Sequence, residues 1–448
     1  MSSVDLARLV DMEAGLMSAR VFCDADIYQA ELQQVFGRCW QFLTHDSMLP
    51  KPGDFVLAYM GEDSVVVVRQ NDGTLRAFLN QCRHRGVPVC RAESGQIGAF
   101  TCPFHGWTYD RGGQLVHVPK EHEYAGRLDK SASGLKPVAQ LAVHKGLVFA
   151  TWDSKAPPLS EYLGDMAWYM DAFLDAYPGG TEVVGGVHKW VVDCNWKFGA
   201  EQFAHDISHA EHAHTSAIRL PEGSPPLQDR RAIHSMPTNV EFSSRKGHGC
   251  AIMDSNARQL GIAGPVHADW VESMREQSVA QLGEVRGAIL SPSGIYTVFP
   301  NFSVFSASPT MRVWLPRGPD QMEIWSWTLV PSAAPPEVKE ALRLSNLRTF
   351  SPAGTFEQDD GEIWSEIQRT LRGKVAREQS FNYQVGMRNY RHGDGLNPGK
   401  ISWIENEEAA RGFYQRWADL MSTDSWEALA ELEAAHVAGD VAAAAAAE

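Results

Sequence analysis

The 448-residue chain is too long for one ordinary hydrophobic core, so two domains are expected. Its 44% apolar content and 14 tryptophans supply ample core material, while a net charge of −15 and a pI near 5.5 argue against nucleic acid or an anionic membrane surface as partner. The longest β-like apolar block, residues 65–68, is far short of a membrane span, and the N-terminus MSSVDLARLVDMEAG has early acids and no apolar core, so neither membrane nor signal peptide is expected. Of seven cysteines, Cys23, Cys39, Cys90, Cys194 and Cys250 are scattered and read as buried thiols of a cytoplasmic chain.

Residues 1–38 read as helical, with Ile27, Leu32, Val35 and Phe36 on one stripe. From residue 39 the pattern turns to short strands: DFVLAYM, SVVVVRQ, TLRAFLN and LVFATW. Pro52-Gly53, Asn71-Asp72-Gly73 and Arg111-Gly112-Gly113 separate them. This predicts a small all-β domain over 39–155, left through Ala156-Pro157-Pro158. Inserted in it is QCRHRGVPVCRAESGQIGAFTCPFHGWTY, which holds Cys82-x-His84, seventeen residues, then Cys102-x-x-His105. Two thiolates and two imidazoles are the ligand set of a Rieske [2Fe–2S] centre, where two Cys hold one iron and two His the other. Zinc modules group their Cys and then their His, so the order is wrong for zinc. Gly86 and Gly106 follow the histidines and are expected to turn backbone N–H groups toward cluster sulfurs. Pro103 and Trp107 are expected to stiffen and cover the second loop.

Residues 156–448 form the larger second domain. Residues 159–176 and 194–215 read as helical and 183–192 as a strand. Residues 219–235, RLPEGSPPLQDRRAIHS, are expected to form a Pro-rich loop long enough to suggest function or mobility. YTVFPNFSVFS, TMRVWLP and MEIWSWTLV make a β-rich block, and 337–350, 361–371 and 407–421 read as helices. The tail VAAAAAAE is expected to fray. No G-x-G-x-x-G follows a strand, so no nicotinamide site is expected in this chain.

The stretch NWKFGAEQFAHDISHAEHAHT carries His205, His209, His212 and His214 beside Glu201 and Asp206. Four imidazoles in ten residues exceed the needs of a core and favour a divalent metal. Non-haem Fe(II) oxygenases use two His and one carboxylate on one octahedral face, leaving positions open for oxygen. A carboxylate is available in FEQDDGEIW, which contains Asp359 and Asp360. Helical spacing does not choose among the imidazoles. His205 and His209 share a face, as do His209 and His212, whereas His209 and His214 converge only if the helix breaks between them.

Taken together, the Cys-His pairs, NWKFGAEQF, Asp206-x-x-His209-x4-His214 and FEQDDGEIW resemble the α subunit of Rieske non-haem iron ring-hydroxylating dioxygenases. The resemblance runs from FGRCWQFLTH to RGFYQRWADL and is nearest the phenylpropionate, biphenyl and naphthalene branch. It implies an α+β chain, with a small all-β Rieske domain plus a catalytic domain whose large antiparallel sheet is flanked by helices. The N-terminal 1–38 segment would pack on the catalytic domain. The cluster ligands map to Cys82, His84, Cys102 and His105, the mononuclear iron ligands to His209, His214 and Asp360, and the bridging acid to Asp206. The implied reaction adds both atoms of O2 to an aromatic edge to give a cis-dihydrodiol, with NADH as indirect electron source. Implied partners are a small β subunit (α3β3) or a homotrimer, with a ferredoxin and a flavin reductase. A Rieske centre on a neighbouring subunit would serve each iron. Departures from the family pattern are His205 in place of a small residue, Ser208 in place of a common Tyr, and the additional His212.

The pocket is expected to be apolar. By alignment to the family motifs that this chain resembles, Phe203, Ile207, Ala210, Phe350 and Phe356 are its candidates, with Gln202 near the iron. Nothing polar in this set recognises a carboxylate, which favours a biphenyl-like or fused polycyclic hydrocarbon. Arg219, Arg230 and Arg231 in the Pro-rich loop keep an aromatic acid such as phenylpropionate in view. Rival readings are a Rieske monooxygenase or demethylase, and a pure Rieske electron carrier.

Overall fold

The computed structural model describes residues 9–215, 239–252, 263–289, 294–393 and 397–447. The Pro-rich loop and its Arg219, Arg230 and Arg231 lie outside these residues. The chain divides into two compact units, Phe36–Leu159 and Met1–Val35 with Ser160–Glu448. No helix among the described residues is long and apolar enough to cross a membrane.

The smaller unit is built from three antiparallel sheets. Its organising strand is Asp63–Arg69, whose four consecutive valines are all fully buried. Side chains alternate across a sheet, so a run without polar interruption must be covered on both faces. Val65 and Val67 enter one core with Leu43, Val56 and Ala150. Val66 and Val68 enter the other with Phe78, Cys82, Cys102, Trp107 and Tyr109. The ligand loops are therefore anchored on the second face of the central sheet.

The larger unit is organised by one nine-stranded antiparallel sheet. Its strands are β1 (Thr181–Val192), β2 (Val240–Ser243), β3 (Gly249–Ile252), β4 (Gly294–Val298), β5 (Phe302–Phe305), β6 (Thr310–Pro316), β7 (Met322–Pro331), β8 (Tyr390–His392) and β9 (Lys400–Trp403). They lie in the order β1-β7-β6-β5-β4-β3-β2-β9-β8. Six helices matter here: α1 (Ala25–Gln34), α2 (Trp196–His205), α3 (Ala210–Ala213), α4 (Pro336–Thr349), α5 (Thr355–Thr370) and α6 (Glu408–Ser422). Helix α2 starts on Asn195, whose side chain accepts from Lys197 N at 3.1 Å. It lies across β3–β6, and Gly199 makes the close approach possible: a Cβ there would stand 2.4 Å from the Trp314 ring.

The sequence predicts one helix over 194–215, and the structure breaks it. Helix α2 ends at His205, and Asp206 adopts extended backbone with φ −79° and ψ 92°. Its carboxylate accepts from His209 N at 3.1 Å and from Ser208 Oγ at 2.9 Å. A short acidic side chain thus captures backbone and hydroxyl groups locally, in competition with the helix. Elsewhere, the helical reading of 1–38 holds for α1 but not for Val10–Asp11 and Leu16–Ser18, which are strands, and 159–176 contains two helices, Leu159–Leu163 and Met166–Leu174. The alanine-rich tail, expected to fray, continues the helix Trp426–Ala447.

Helix α1 is fastened by one buried carboxylate. Glu31 accepts from Lys197 Nζ at 2.5 Å, Trp417 Nε1 at 2.7 Å and Trp196 Nε1 at 3.0 Å. Both Glu31 and Lys197 are wholly buried, and burial holds the Lys197 ammonium below its usual range against the pull of Glu31. Glu31→Ala is expected to destabilise the larger unit by about 3–5 kcal/mol, because it strands a buried ammonium. Denaturant unfolding followed by tryptophan fluorescence measures this, and a loss under about 1 kcal/mol would contradict it.

Candidate metal centres

The two cluster loops close in the same way. Cys82 N donates to Val87 O at 2.8 Å and Gly86 N to Cys82 O at 2.9 Å; Cys102 N donates to Trp107 O at 2.7 Å and Gly106 N to Cys102 O at 3.0 Å. Gly86 and Gly106 both take left-handed backbone, φ 80° and 74°, which a residue without a side chain adopts freely. Their own N–H groups serve the cysteine carbonyls. A bond to sulfur comes from Tyr109, which sequence reasoning did not single out. Its hydroxyl accepts from Arg83 N at 3.0 Å, which leaves its own hydrogen for Cys82 Sγ at 3.3 Å. Burial, reinforced by Cys82, keeps this phenol above its usual pKa and hence protonated.

Between the loops, His84 Nδ1 and His105 Nδ1 lie 3.2 Å apart, and Cys82 and Cys102 are buried. Trp107 stacks on His84 at 5.1 Å, and Phe104, 57% exposed, lies 3.8 Å from the His105 ring. Two cysteines and two histidines thus come from two matched loops, with the two ring nitrogens face to face, a donor set that fits a Rieske cluster.

The second cluster of donors gathers around the helix break. His209 Nε2 and His214 Nε2 are 3.3 Å apart, and Asp360 Oδ1 of α5 lies 3.4 Å from the first and 3.5 Å from the second. Donor atoms of these three side chains all lie within 4.8 Å of one another. Metal bonds of roughly 2.0–2.2 Å impose such spacing between neighbouring ligand atoms. Each imidazole is held from behind. His214 Nδ1 lies 3.1 Å from Asp359 Oδ2, which leaves Nε2 as the free lone pair. His209 Nδ1 is buried without a hydrogen bond, with Asp206 Oδ2 at 3.4 Å. Burial opposes a charge on His209, but Asp206 and Asp360 outweigh it and push its pKa up to about 10. Asp206 is held well below the carboxylate range, against its burial, by His209 and His205. The site is built to hold positive charge among carboxylates, and it fits a two-His, one-carboxylate Fe(II) set.

The other imidazoles point away. His212 is exposed. His205 turns behind α2, with Nε2 3.1 Å from Glu201 Oε1 and Nδ1 3.3 Å from Asn406 O. Burial opposes its charge, but Glu201 and the nearby Glu241 push its pKa up to about 9. Gln202 brings its amide 3.2 Å from His209 Nε2 and accepts from Trp364 Nε1 at 2.9 Å. Trp364 was not singled out from sequence, and Asp359 was named only as one of two adjacent candidate carboxylates, without its role behind His214. For Asp359 the signal was present in the adjacent acids of FEQDDGEIW, which a helix turns toward different neighbours.

The candidate pocket residues are only partly brought together. Phe203 and Phe350 meet edge-on at 6.2 Å, Phe350 meets Phe356 at 5.5 Å, and Phe356 lies 4.8 Å from the His214 ring. Phe305, not predicted, joins Phe350 at 5.2 Å. Ile207 and Ala210 sit half-buried at the break between α2 and α3.

Residues 39–140 match the Rieske [2Fe-2S] domain family, and residues 159–423 match the ring hydroxylating alpha subunit (catalytic domain) family. The chain belongs to the ring-hydroxylating α-subunit family. It is 45% identical over 436 residues to the chlorobenzene dioxygenase subunit alpha of Cupriavidus sp., covering 95% of both chains. It is 43% identical over 433 residues to the biphenyl dioxygenase subunit alpha of Paraburkholderia xenovorans, covering 94% of both. Among solved structures it is similar to naphthalene 1,2-dioxygenase from Rhodococcus sp. bound to indole, at 34% identity and a TM-score of 0.83, covering 95% of this chain and 100% of that one. As an α subunit of this family it is an aromatic-ring-hydroxylating dioxygenase with a Rieske cluster and a mononuclear non-haem iron, uses O2, and draws on NADH through other components.

Two outcomes are expected. His209→Ala, His214→Ala and Asp360→Ala each lose the single iron beyond the two of the cluster, whereas His205→Ala and His212→Ala keep it, as metal analysis will read. An empty site in His212→Ala beside a full one in His214→Ala would contradict the geometry. In the Rieske unit, Cys102→Ser and His105→Ala lose the cluster absorption, and Tyr109→Phe lowers the cluster potential by removing a donor to sulfur. Redox titration checks the last point, and an unchanged or higher potential would contradict it.

Proposed function

We propose that this α subunit adds both atoms of O2 to one edge of an apolar aromatic hydrocarbon, biphenyl-like or fused polycyclic, to give a cis-dihydrodiol. The observation that carries the reading is the run of rings Phe203, Phe350 and Phe356 leading to His214. Flat apolar substrates bind such walls by burial and offset ring contacts. Beneath the wall, Arg312 is neutralised by Glu357 at 2.5 Å, so it offers no free cation to a carboxylate. This favours a hydrocarbon over a phenylpropionate-like acid. The relatives named for chlorobenzene and biphenyl support the same substrate class.

In this reading His209, His214 and Asp360 hold the iron, and Cys82, His84, Cys102 and His105 hold the cluster. When bound, the iron supplies O2 activation and the cluster supplies electrons singly. Asp359 keeps the His214 proton on Nδ1, and Asp206 orients His209. The Gln202 amide fixes a polar edge beside the iron ligands, while the rings orient the substrate and exclude water. Asp206, about a quarter exposed, keeps acceptor capacity for the ring N–H of a cluster histidine from a neighbouring subunit. That role requires an α trimer, either homotrimeric or α3β3 with a small β subunit, fed by a ferredoxin and a flavin reductase.

Turnover with labelled O2 over benzene, biphenyl, naphthalene, phenanthrene and phenylpropionate tests the function. The expected product is a dihydrodiol carrying both labelled atoms. A single label in an alcohol would establish the monooxygenase reading instead. For Asp206→Ala, the cluster spectrum is expected to persist while substrate-dependent reoxidation of the reduced cluster in a single turnover nearly disappears. Wild-type reoxidation in an iron-replete variant would remove Asp206 from the electron path.

A further inference from the structure

One guanidinium joins three segments behind the aromatic wall. Arg312, in the middle of β6, is fully buried on the sheet face that carries α2. Its Nη1 donates to Glu357 Oε2 in the first turn of α5 at 2.5 Å. Its Nη2 donates to the carbonyl of Phe350, the C-cap of α4, at 3.3 Å, and to Thr310 Oγ1 at 3.4 Å. The guanidinium carbon lies 4.7 Å from the Phe203 ring, 5.2 Å from Phe350 and 5.3 Å from Trp314. It therefore grips both the backbone and the ring of Phe350.

The corner between α4 and α5 is tight as well. A Cβ added to Gly354 would stand 2.3 Å from Thr349 O, and Thr349 Oγ1 lies 2.8 Å from Ser308 Oγ. This corner carries Phe350 and Phe356, and Asp360 follows Glu357 by one helical turn. An apolar pair would fill the same space at lower desolvation cost, so bulk packing alone does not account for a buried ion pair. A planar fork is suited to binding two acceptors in fixed directions while stacking on rings, which an ammonium cannot do.

We propose that Arg312, with Glu357 as its counter-charge, is a positioning residue for regiochemistry: it fixes where the Phe350 ring stands and so which edge of a bound arene meets the iron site. The inference rests on the arene dioxygenase reading above. Its test uses phenanthrene, whose edges are inequivalent, with the iron-replete oxygenase and its electron-transfer partners. Wild type is compared with Arg312→Lys, Glu357→Gln, Phe350→Val and the Arg312→Lys/Phe350→Val double variant.

Arg312→Lys and Glu357→Gln are each expected to shift the ratio of regioisomeric dihydrodiols by about threefold or more, a small part of what pocket fit can discriminate. Iron content and the rate of cluster reduction stay at wild-type values. The double variant gives the ratio of Phe350→Val alone, because the arginine acts through that ring. An unchanged ratio in folded, iron-replete single variants, or additive shifts in the double variant, would overturn the proposal. If Arg312→Lys does not fold, Glu357→Gln alone decides by the same ratio. A wild type that yields no dihydrodiol from any arene would overturn the dioxygenase reading, and this inference with it.

Discussion

The catalytic half of this chain depends on a helix that stops in time. Were α2 to continue past His205, His209 and His214 would lie on different faces and could not meet Asp360. The stop is made by Asp206, whose carboxylate takes the His209 N–H and the Ser208 hydroxyl. The same residue that ends the helix then stands beside His209 Nδ1. Backbone geometry and the electrostatics of the proposed iron site are thus set by one side chain.

Charge is distributed around that break with few free groups. Asp206 and Asp360 flank His209, Asp359 backs His214, and Glu201 and Glu241 contain His205. Each imidazole near the break that is shielded from solvent meets a carboxylate. Low local polarisability makes such contacts directional and expensive to leave incomplete. Farther back, Glu31 joins α1 to α2 and α6, and Arg312 joins the sheet to α4 and α5. Both fasten elements that carry or support the site.

Much of this was legible in the sequence. The Rieske strands could be read because turn dipeptides punctuate alternating or continuous apolar runs, and the Cys-His order separates a Rieske set from a zinc set. The identity of the histidines was not legible from periodicity. A 3.6-residue repeat pairs His209 equally with His205 or His212, whereas the structure turns His205 toward Glu201 and leaves His212 exposed. Only the resemblance to a known motif singled out His209 with His214. The roles of Tyr109, Asp359 and Arg312 depend on contacts between residues far apart in the chain, such as the 3.1 Å approach of His214 to Asp359, which no local pattern encodes. The glycines of the cluster loops show the converse: their left-handed backbone was predictable, but which acceptor their N–H groups would find was not.

On the proposed iron site, the break at Asp206 brings His209, His214 and Asp360 onto one metal. A crystal structure of the iron-loaded protein with anomalous scattering recorded at the iron edge tests it directly. The expected result is an anomalous peak separate from the cluster, in contact with His209 Nε2, His214 Nε2 and the Asp360 carboxylate, with His205 still on Glu201. A peak ligated by His205 or His212, or a continuous helix through residues 205–210 in the loaded protein, would contradict it.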